Sequence, residues 1–379
     1  HRDVLCCSKI LFWNFAIKRF KEFLNFTSYF SNVWRMLLPR SLSRGQHLAS
    51  LTLPLCQAFR KKSLLIETNL EVARIKCVGN QSKANFCAHA HTDKFIPECN
   101  EPSDTDLARL REFLDTHQRL FVLTGAGLST ESGIPDYRSE GVGLYATSPN
   151  RPVQYIDFLK NDAIRQRYWA RNYMGWPRFS SFQPNRCHYV LSDWERKGRI
   201  HWLVTQNVDA LHFKAGSRRV TELHGSTHRV LCLSCSYRTT RHAFQAAIDA
   251  ANQGWSVEAK QILADRPDGD VDLDSEKVKE FVVPPCPSCG GILKPEVTFF
   301  GDNVPKTTVH FVLEKLFNSD AVLVLGSSLE VYSGYRFALR AHDRGIKIAV
   351  VNIGPTRADK LVDVKVSAKC GDVLQRLLV

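Results

Sequence analysis

Leu120-Phe121-Val122-Leu123-Thr124-Gly125-Ala126-Gly127-Leu128-Ser129 is the stretch whose reading decides the fold of this chain. Four apolar residues in a row, ended by a turn signal, read as a strand buried on both faces; two closely spaced glycines then lead the backbone out of it. Three further apolar runs have the same character, at 201–205, 321–325 and 346–351. Helical stretches separate them, for instance 331–344. Another helix is expected to start at Ser103 or Asp104, either of which can cap it, with Leu107, Leu110, Phe113 and Leu114 on one face. Apolar strands alternating with helices specify an α/β fold whose parallel sheet is covered on both sides, doubly wound. The segment 228–292 breaks this rhythm with paired cysteines and is expected to form a smaller inserted module.

The bulk composition narrows the function classes. At 379 residues the chain has room for two average domains or for one large domain with an extension. Its 44% apolar and 23% charged residues are those of a globular protein. No run approaches the roughly 20 apolar residues of a membrane-spanning helix, so membrane insertion is not expected. The net charge is +13, but residues 1–100 hold 15 Lys and Arg against 6 Asp and Glu, leaving only +4 for the rest. A basic end on a near-neutral body reads as an address label or tail, not as a nucleic-acid-binding face.

That basic end has its own organisation. Residues 1–35 lack any coherent period and are expected to be a non-native extension. From Met36 the sequence is rich in Ser and basic residues, and no acidic residue occurs between Glu22 and Glu67. That is the composition of a mitochondrial transit peptide, expected at 36–66, with a plain basic tail as the competing reading. Residues 67–102 read as linker and 103–379 as the compact domain.

The glycine turn continues through Ser129, Gly133, Asp136, Tyr137 and Arg138. Glycines between a strand and a helix allow the backbone to approach a pyrophosphate, with amide N–H groups facing the anion. The third glycine of the usual dinucleotide fingerprint is absent, and no acidic residue follows at the expected distance, which disfavours a standard dehydrogenase. Of the twelve cysteines, Cys232, Cys235, Cys286 and Cys289 form two Cys-x-x-Cys pairs. Four thiolates saturate tetrahedral zinc and leave no position for water, so the expected role of the metal is structural. Fifty residues separate the pairs, well beyond the about 15–20 of a compact zinc ribbon. The module therefore carries an extra segment, helical-looking over 241–264 and acidic over 265–280.

These motifs, taken with Thr205-Gln206-Asn207-Val208-Asp209, Glu222-Leu-His224-Gly225, Lys294 to Asp302, Gly326-Ser327-Ser328, Asn352-Ile353-Gly354 and Cys370-Gly-Asp372, closely resemble the sirtuin family over 103–379. Within it, Arg165 to Asn172 and Val331 to Phe337 look most like a mitochondrial class II member. The resemblance implies a Rossmann-like sheet with a helical and zinc-binding insert. It also implies NAD consumed as a co-substrate, one structural zinc, and acylated-lysine proteins, mitochondrial metabolic enzymes among them, as partners. Gly125, Ala126, Gly127, Ser129, Gly133, Asp136, Tyr137, Arg138 and Tyr145 would wrap NAD. Gln206, Asn207, Val208 and Asp209 would line the nicotinamide and ribose pocket. Gly326, Ser327 and Ser328 would meet ribose and phosphates, and Asn352, Ile353, Gly354 and Cys370 the adenosine end. His224 would be the general base, with Asn207 beside it.

Each assignment has a plainer rival. Asn207 and Asp209 suit an Asx turn at a strand end, and a lone histidine is usually structural. Tyr168 and Arg171 lie three apart in a stretch that reads as helix over 162–174, so they share a face. Their surroundings resemble a Tyr-x-x-Arg pair that reads acidic acyl chains in another mitochondrial sirtuin; ordinary packing and a surface charge are the alternative. Protein mono-ADP-ribosylation from the same NAD site stays open, because activation of NAD comes first in both reactions. A zinc-ribbon nucleic-acid binder is a remote alternative, since its basic excess would lie outside the zinc module.

Overall fold

All five residues of β1 (Leu120–Thr124) are buried, and they alternate between two cores. Leu120 and Val122 enter one apolar cluster, Phe121 and Leu123 the other. The period of two in a strand makes this division automatic. The computed structural model describes residues 93–149, 151–255, 266–269 and 278–377. The expected extension at 1–35, the transit segment at 36–66 and most of the linker lie outside those residues. The described residues fall within one compact unit, Phe86–Val379.

Five more strands join β1 in a parallel sheet: β2 (Ile200–Thr205), β3 (Val220–Glu222), β7 (Ala321–Leu325), β8 (Lys347–Val351) and β9 (Val364–Val366). The order is β3-β2-β1-β7-β8-β9, the doubly wound arrangement in which the chain reverses direction at the middle of the sheet. Helices Asp104–Thr116, Arg186–Arg196 and Cys370–Arg376 pack on one face; Lys306–Phe317 and Tyr332–Asp343 pack on the other. Ser103 caps the first of these, its Oγ accepting from the Asp106 N–H at 3.1 Å. The three-residue strands β3 and β9 were not expected from sequence, since Val-Thr-Glu and Val-Lys-Val are too short to show a period.

The inserted module is an antiparallel sheet, β5-β4-β6, of β4 (Gly225–Cys232), β5 (Arg238–Thr240) and β6 (Leu293–Val297). It shares an aromatic core with the long helix Asp162–Ser181, where Trp169 is fully buried. Trp169 Nε1 donates to the Leu293 carbonyl at 3.1 Å, and the buried Arg241 guanidinium lies against the rings of Trp169 and Trp176. One expectation needs correcting: the helix read over 241–264 runs Arg241–Ala251 and stops there, while 256–264 lie outside the described residues. Asn252 ends it, because its side chain accepts from the Val282 N–H at 2.7 Å and donates to the Val282 carbonyl at 2.8 Å.

Candidate active site

The central pair β1 and β7 end side by side, and the loops after them diverge. In a parallel sheet this is the switch point where ligands bind. Here both loops open with glycines that touch. Gly127 N–H donates to the Gly326 carbonyl at 3.0 Å, and Gly125 N–H to the Leu325 carbonyl at 3.1 Å. A Cβ on Gly125 would sit 2.7 Å from the Gly326 carbonyl oxygen, and Gly326 has φ +59° with Gly127 and Leu128 backbone crowding it. Neither position admits a side chain. The close approach that sequence attributed to a ligand is thus also an approach of the two loops to each other.

A buried polar network holds the first loop to the end of β2. Ser129 Oγ donates to Asp209 Oδ2 at 2.7 Å and accepts from Asn207 Nδ2 at 3.0 Å. Asn207 Nδ2 also donates to the Gly125 carbonyl, and Asp209 Oδ1 accepts from the Leu211 N–H at 2.9 Å. The Asx-turn reading of Asp209 is therefore correct as local geometry, and the same carboxylate anchors the glycine loop. Burial raises its pKa. Gln206 ties the third loop in, its Nε2 donating to Ser327 Oγ at 2.8 Å.

His224 follows β3. Its Nδ1 lies 2.9 Å from the Gln206 carbonyl, and Nε2 lies 2.7 Å from Ser333 Oγ. A carbonyl only accepts, so Nδ1 carries the proton and the Nε2 lone pair accepts from the Ser333 hydroxyl. Burial pulls the imidazole pKa down to about 4, so the ring is neutral at physiological pH and Nε2 is able to take a proton.

These elements enclose a cavity of about 1030 Å³. Among the residues expected to contact the dinucleotide, all but Gly133, Tyr145 and Cys370 line it. Those three stand behind the wall. Gly133 makes a left-handed turn at φ +88°, Tyr145 backs Arg138, whose guanidinium carbon lies 5.3 Å over its ring, and Cys370 is buried with Sγ near the Val351 carbonyl. Tyr168 lines the cavity, whereas Arg171, one turn further along the helix and buried, does not. Sequence reading missed Ser333, the partner of His224, and Arg336, which also lines the cavity. Their spacing in Tyr332-Ser-Gly-Tyr-Arg336, within the first turn and a half of a helix that follows a sheet strand, is the signal that was there to find.

The four cysteines converge outside this cavity. Cys232 Sγ lies 3.5 Å from Cys289 Sγ, and Cys235 Sγ lies 3.7 Å from Cys286 Sγ. All four lie within 4.8 Å of one another. Ligands about 2.3 Å from a tetrahedral zinc stand about 3.8 Å apart, so the thiols fit that ion and are too far apart for disulfides. A Cβ on Gly291 would meet Cys232 Sγ at 3.1 Å and Ser234 Oγ at 2.7 Å, which explains a glycine beside the second pair.

Acid sensitivity follows from the buried histidines. Burial is the main cause in each case: it holds His212 to about 3, His224 and His228 to about 4, and His188 well below the usual range. When the folded pKa lies below the unfolded value, the unfolded chain binds more protons, and stability falls as pH drops below about 6.5. Each fully buried histidine contributes up to about 1.4 kcal/mol per pH unit in that window, and the partly exposed His228 less. Glu131 and Asp209, raised by burial, act in the opposite sense and blunt the slope. The melting temperature should therefore drop steeply between pH 6.5 and 4.5; a flat profile in that range would show that these rings are not held neutral.

Comparison with known proteins agrees with this geometry. Residues 125–333 match the model of the Sir2 family. A bovine protein (Bos taurus) named NAD-dependent protein lipoamidase sirtuin-4, mitochondrial, is 52% identical over 295 residues, 77% of this chain and 93% of its own length. A Drosophila melanogaster protein named NAD-dependent protein deacylase Sirt4 is 52% identical over 284 residues, 75% of this chain and 90% of its own. Among solved structures, one described as a Sir2–p53 peptide–NAD+ complex aligns with a TM-score of 0.57 at 26% identity. The alignment covers 72% of this chain and 97% of that one.

Proposed function

This chain belongs to the Sir2 family, and from that premise we propose that it is an NAD-dependent protein-lysine deacylase of the deacetylase and lipoamidase type. It transfers the acyl group from lysine to ADP-ribose and releases nicotinamide. The observation that carries this reading is His224, neutral and with Nε2 at the wall of the same cavity that holds the glycine cradle. Bound there, NAD supplies an electrophilic ribose carbon and the hydroxyl that receives the acyl group. The cradle of Gly125, Gly127 and Gly326, with no side chains in the way, lets a phosphate come close to the backbone. Asn207 and Asp209 hold the sugar end through the network that fixes the loop. Arg138, on the rim, is a counter-charge, and Ser327, Ser328 and Asn352 to Gly354 face the remainder of the dinucleotide. His224 Nε2 takes the proton of the attacking hydroxyl, while the Gln206 carbonyl keeps the other nitrogen protonated and the ring aligned. One zinc held by Cys232, Cys235, Cys286 and Cys289 stabilises the small module.

The names of the relatives, lipoamidase, deacylase and mitochondrial, support the same reaction class and a mitochondrial address. Within that organelle we place the protein in the matrix, acting on acylated metabolic enzymes. Residues 36–66 serve as the transit segment, 67–102 as a linker and 103–379 as the enzyme, with 1–35 unassigned. Incubation of the purified chain with NAD and an acyl-lysine peptide, followed by mass spectrometry of both products, tests the reaction. The expected result is a peptide lighter by its acyl group and an acylated ADP-ribose. A peptide that keeps its acyl group and gains ADP-ribose would replace deacylation with ADP-ribosyl transfer.

A further inference from the structure

The helix Tyr332–Asp343 begins at the cavity, and its first two turns carry groups that the reaction above leaves unused. Arg336 lines the cavity. Its Nε is buried without a hydrogen-bond partner, and no carboxylate among the described residues pairs with it. Its guanidinium carbon lies 5.0 Å over the ring of Tyr332, one turn earlier on the same helix face, and Tyr332 is itself 52% exposed.

Two buried cations, Arg241 and Lys294, are satisfied within the fold. The more exposed Arg229 pairs with Glu222 and Glu296. Arg241 donates to Asn172 and Gln245, and Lys294 donates to the carbonyls of Pro295 and Val297. Arg336 alone in this set faces the cavity with its fork unmet. A guanidinium in that state matches a carboxylate better than any neutral group, because two parallel N–H donors meet two oxygens. Leu329 and Val331 give the wall before this helix apolar surface, with Glu330 between them, and that apolar surface suits a substrate chain more than the phosphates accommodated by the glycine cradle.

We propose that Arg336 is a specificity-determining residue that takes a carboxylate carried by the substrate, with Tyr332 supporting the face of its guanidinium. This rests on the deacylase reading and extends it to substrate class. The carboxylate comes either from the far end of the acyl chain or from an acidic side chain beside the modified lysine. Arg336 also lies close enough to His224 for its charge to disfavour the imidazolium, which places this contact next to the reacting centre. Arg171, the residue that sequence suggested for such a role, does not line the cavity.

The test uses the full chain, Arg336→Met and Arg336→Lys, and three peptides. The first bears a glutaryl-lysine, the second a pentanoyl-lysine, and the third a pentanoyl-lysine flanked by glutamates. For the parent and both variants, kcat/KM and peptide binding by fluorescence anisotropy are measured, together with the KM for NAD. With Met, the preference for a carboxylate-bearing peptide over the neutral one should fall about tenfold or more, the loss of roughly one charge-assisted hydrogen-bonded contact. Lys should restore part of it. Loss confined to the glutaryl peptide assigns the contact to the acyl chain, and loss confined to the glutamate peptide assigns it to the flank. An unchanged preference, or a change confined to the KM for NAD, overturns the proposal. Binding is read independently of turnover, so a parent that binds these peptides without deacylating them counts against the reaction and still decides the role of Arg336.

Discussion

His224→Phe is expected to lower deacylation by about 10²–10⁴-fold, the usual contribution of a positioned general base, while NAD binding stays within a few-fold of the parent. The phenyl ring fills the space of the imidazole but offers no donor to the Gln206 carbonyl and no lone pair to Ser333. The glycine cradle, the Ser129–Asn207–Asp209 network and the Gln206–Ser327 hydrogen bond do not pass through this ring, so the dinucleotide end should be preserved. Turnover on an acyl-lysine peptide and binding of NAD by calorimetry separate the two effects. Turnover close to that of the parent would remove His224 from the role of base. A parallel collapse of NAD binding would instead make it a structural support of the cavity.

The second large effect concerns the metal. Cys286→Ser removes one of four thiolates whose spacing fits tetrahedral zinc, and apparent zinc-binding energies at such sites are about 10–16 kcal/mol. Much of that energy stabilises the module, because the metal would tie the Cys232–Cys235 turn at the end of β4 to the Cys286–Cys289 turn that leads into β6. Zinc content should fall from about one per chain to near zero, and the module should lose its protease resistance. Cys286 does not itself line the cavity, yet it shares an aromatic core with Tyr168 and Phe299, which do. Loss of activity should therefore accompany loss of the module's structure. Metal content equal to that of the parent, measured by atomic emission, would falsify the tetrathiolate assignment.

How far the sequence could be read depended on whether a feature is local. The strands at 201–205, 321–325 and 346–351 were legible to within a residue, because a strand buried on both faces is apolar over most of its length. The four cysteines were legible because ligand chemistry fixes residue type and spacing together. The strands Val220–Glu222 and Val364–Val366 were not, since three mixed residues become a strand only when a neighbouring edge offers its hydrogen bonds. The end of the helix Arg241–Ala251 was hidden for a similar reason: Asn252 finds its partner 30 residues away at Val282.

By itself the sequence determined the doubly wound α/β class, the glycine turn and the four-cysteine pattern. Each of these is dictated by residue type within a short window. Only the tertiary structure decided the strand order that brings the ends of β1 and β7 together. It also decided the tautomer of His224, which depends on a carbonyl 18 residues earlier and a hydroxyl 109 residues later. Arg336 was settled the same way. Arg171 and Arg336 are both arginines on helices in the sequence, and burial around a shared cavity, a property of packing between distant segments, is what leaves the second one facing it.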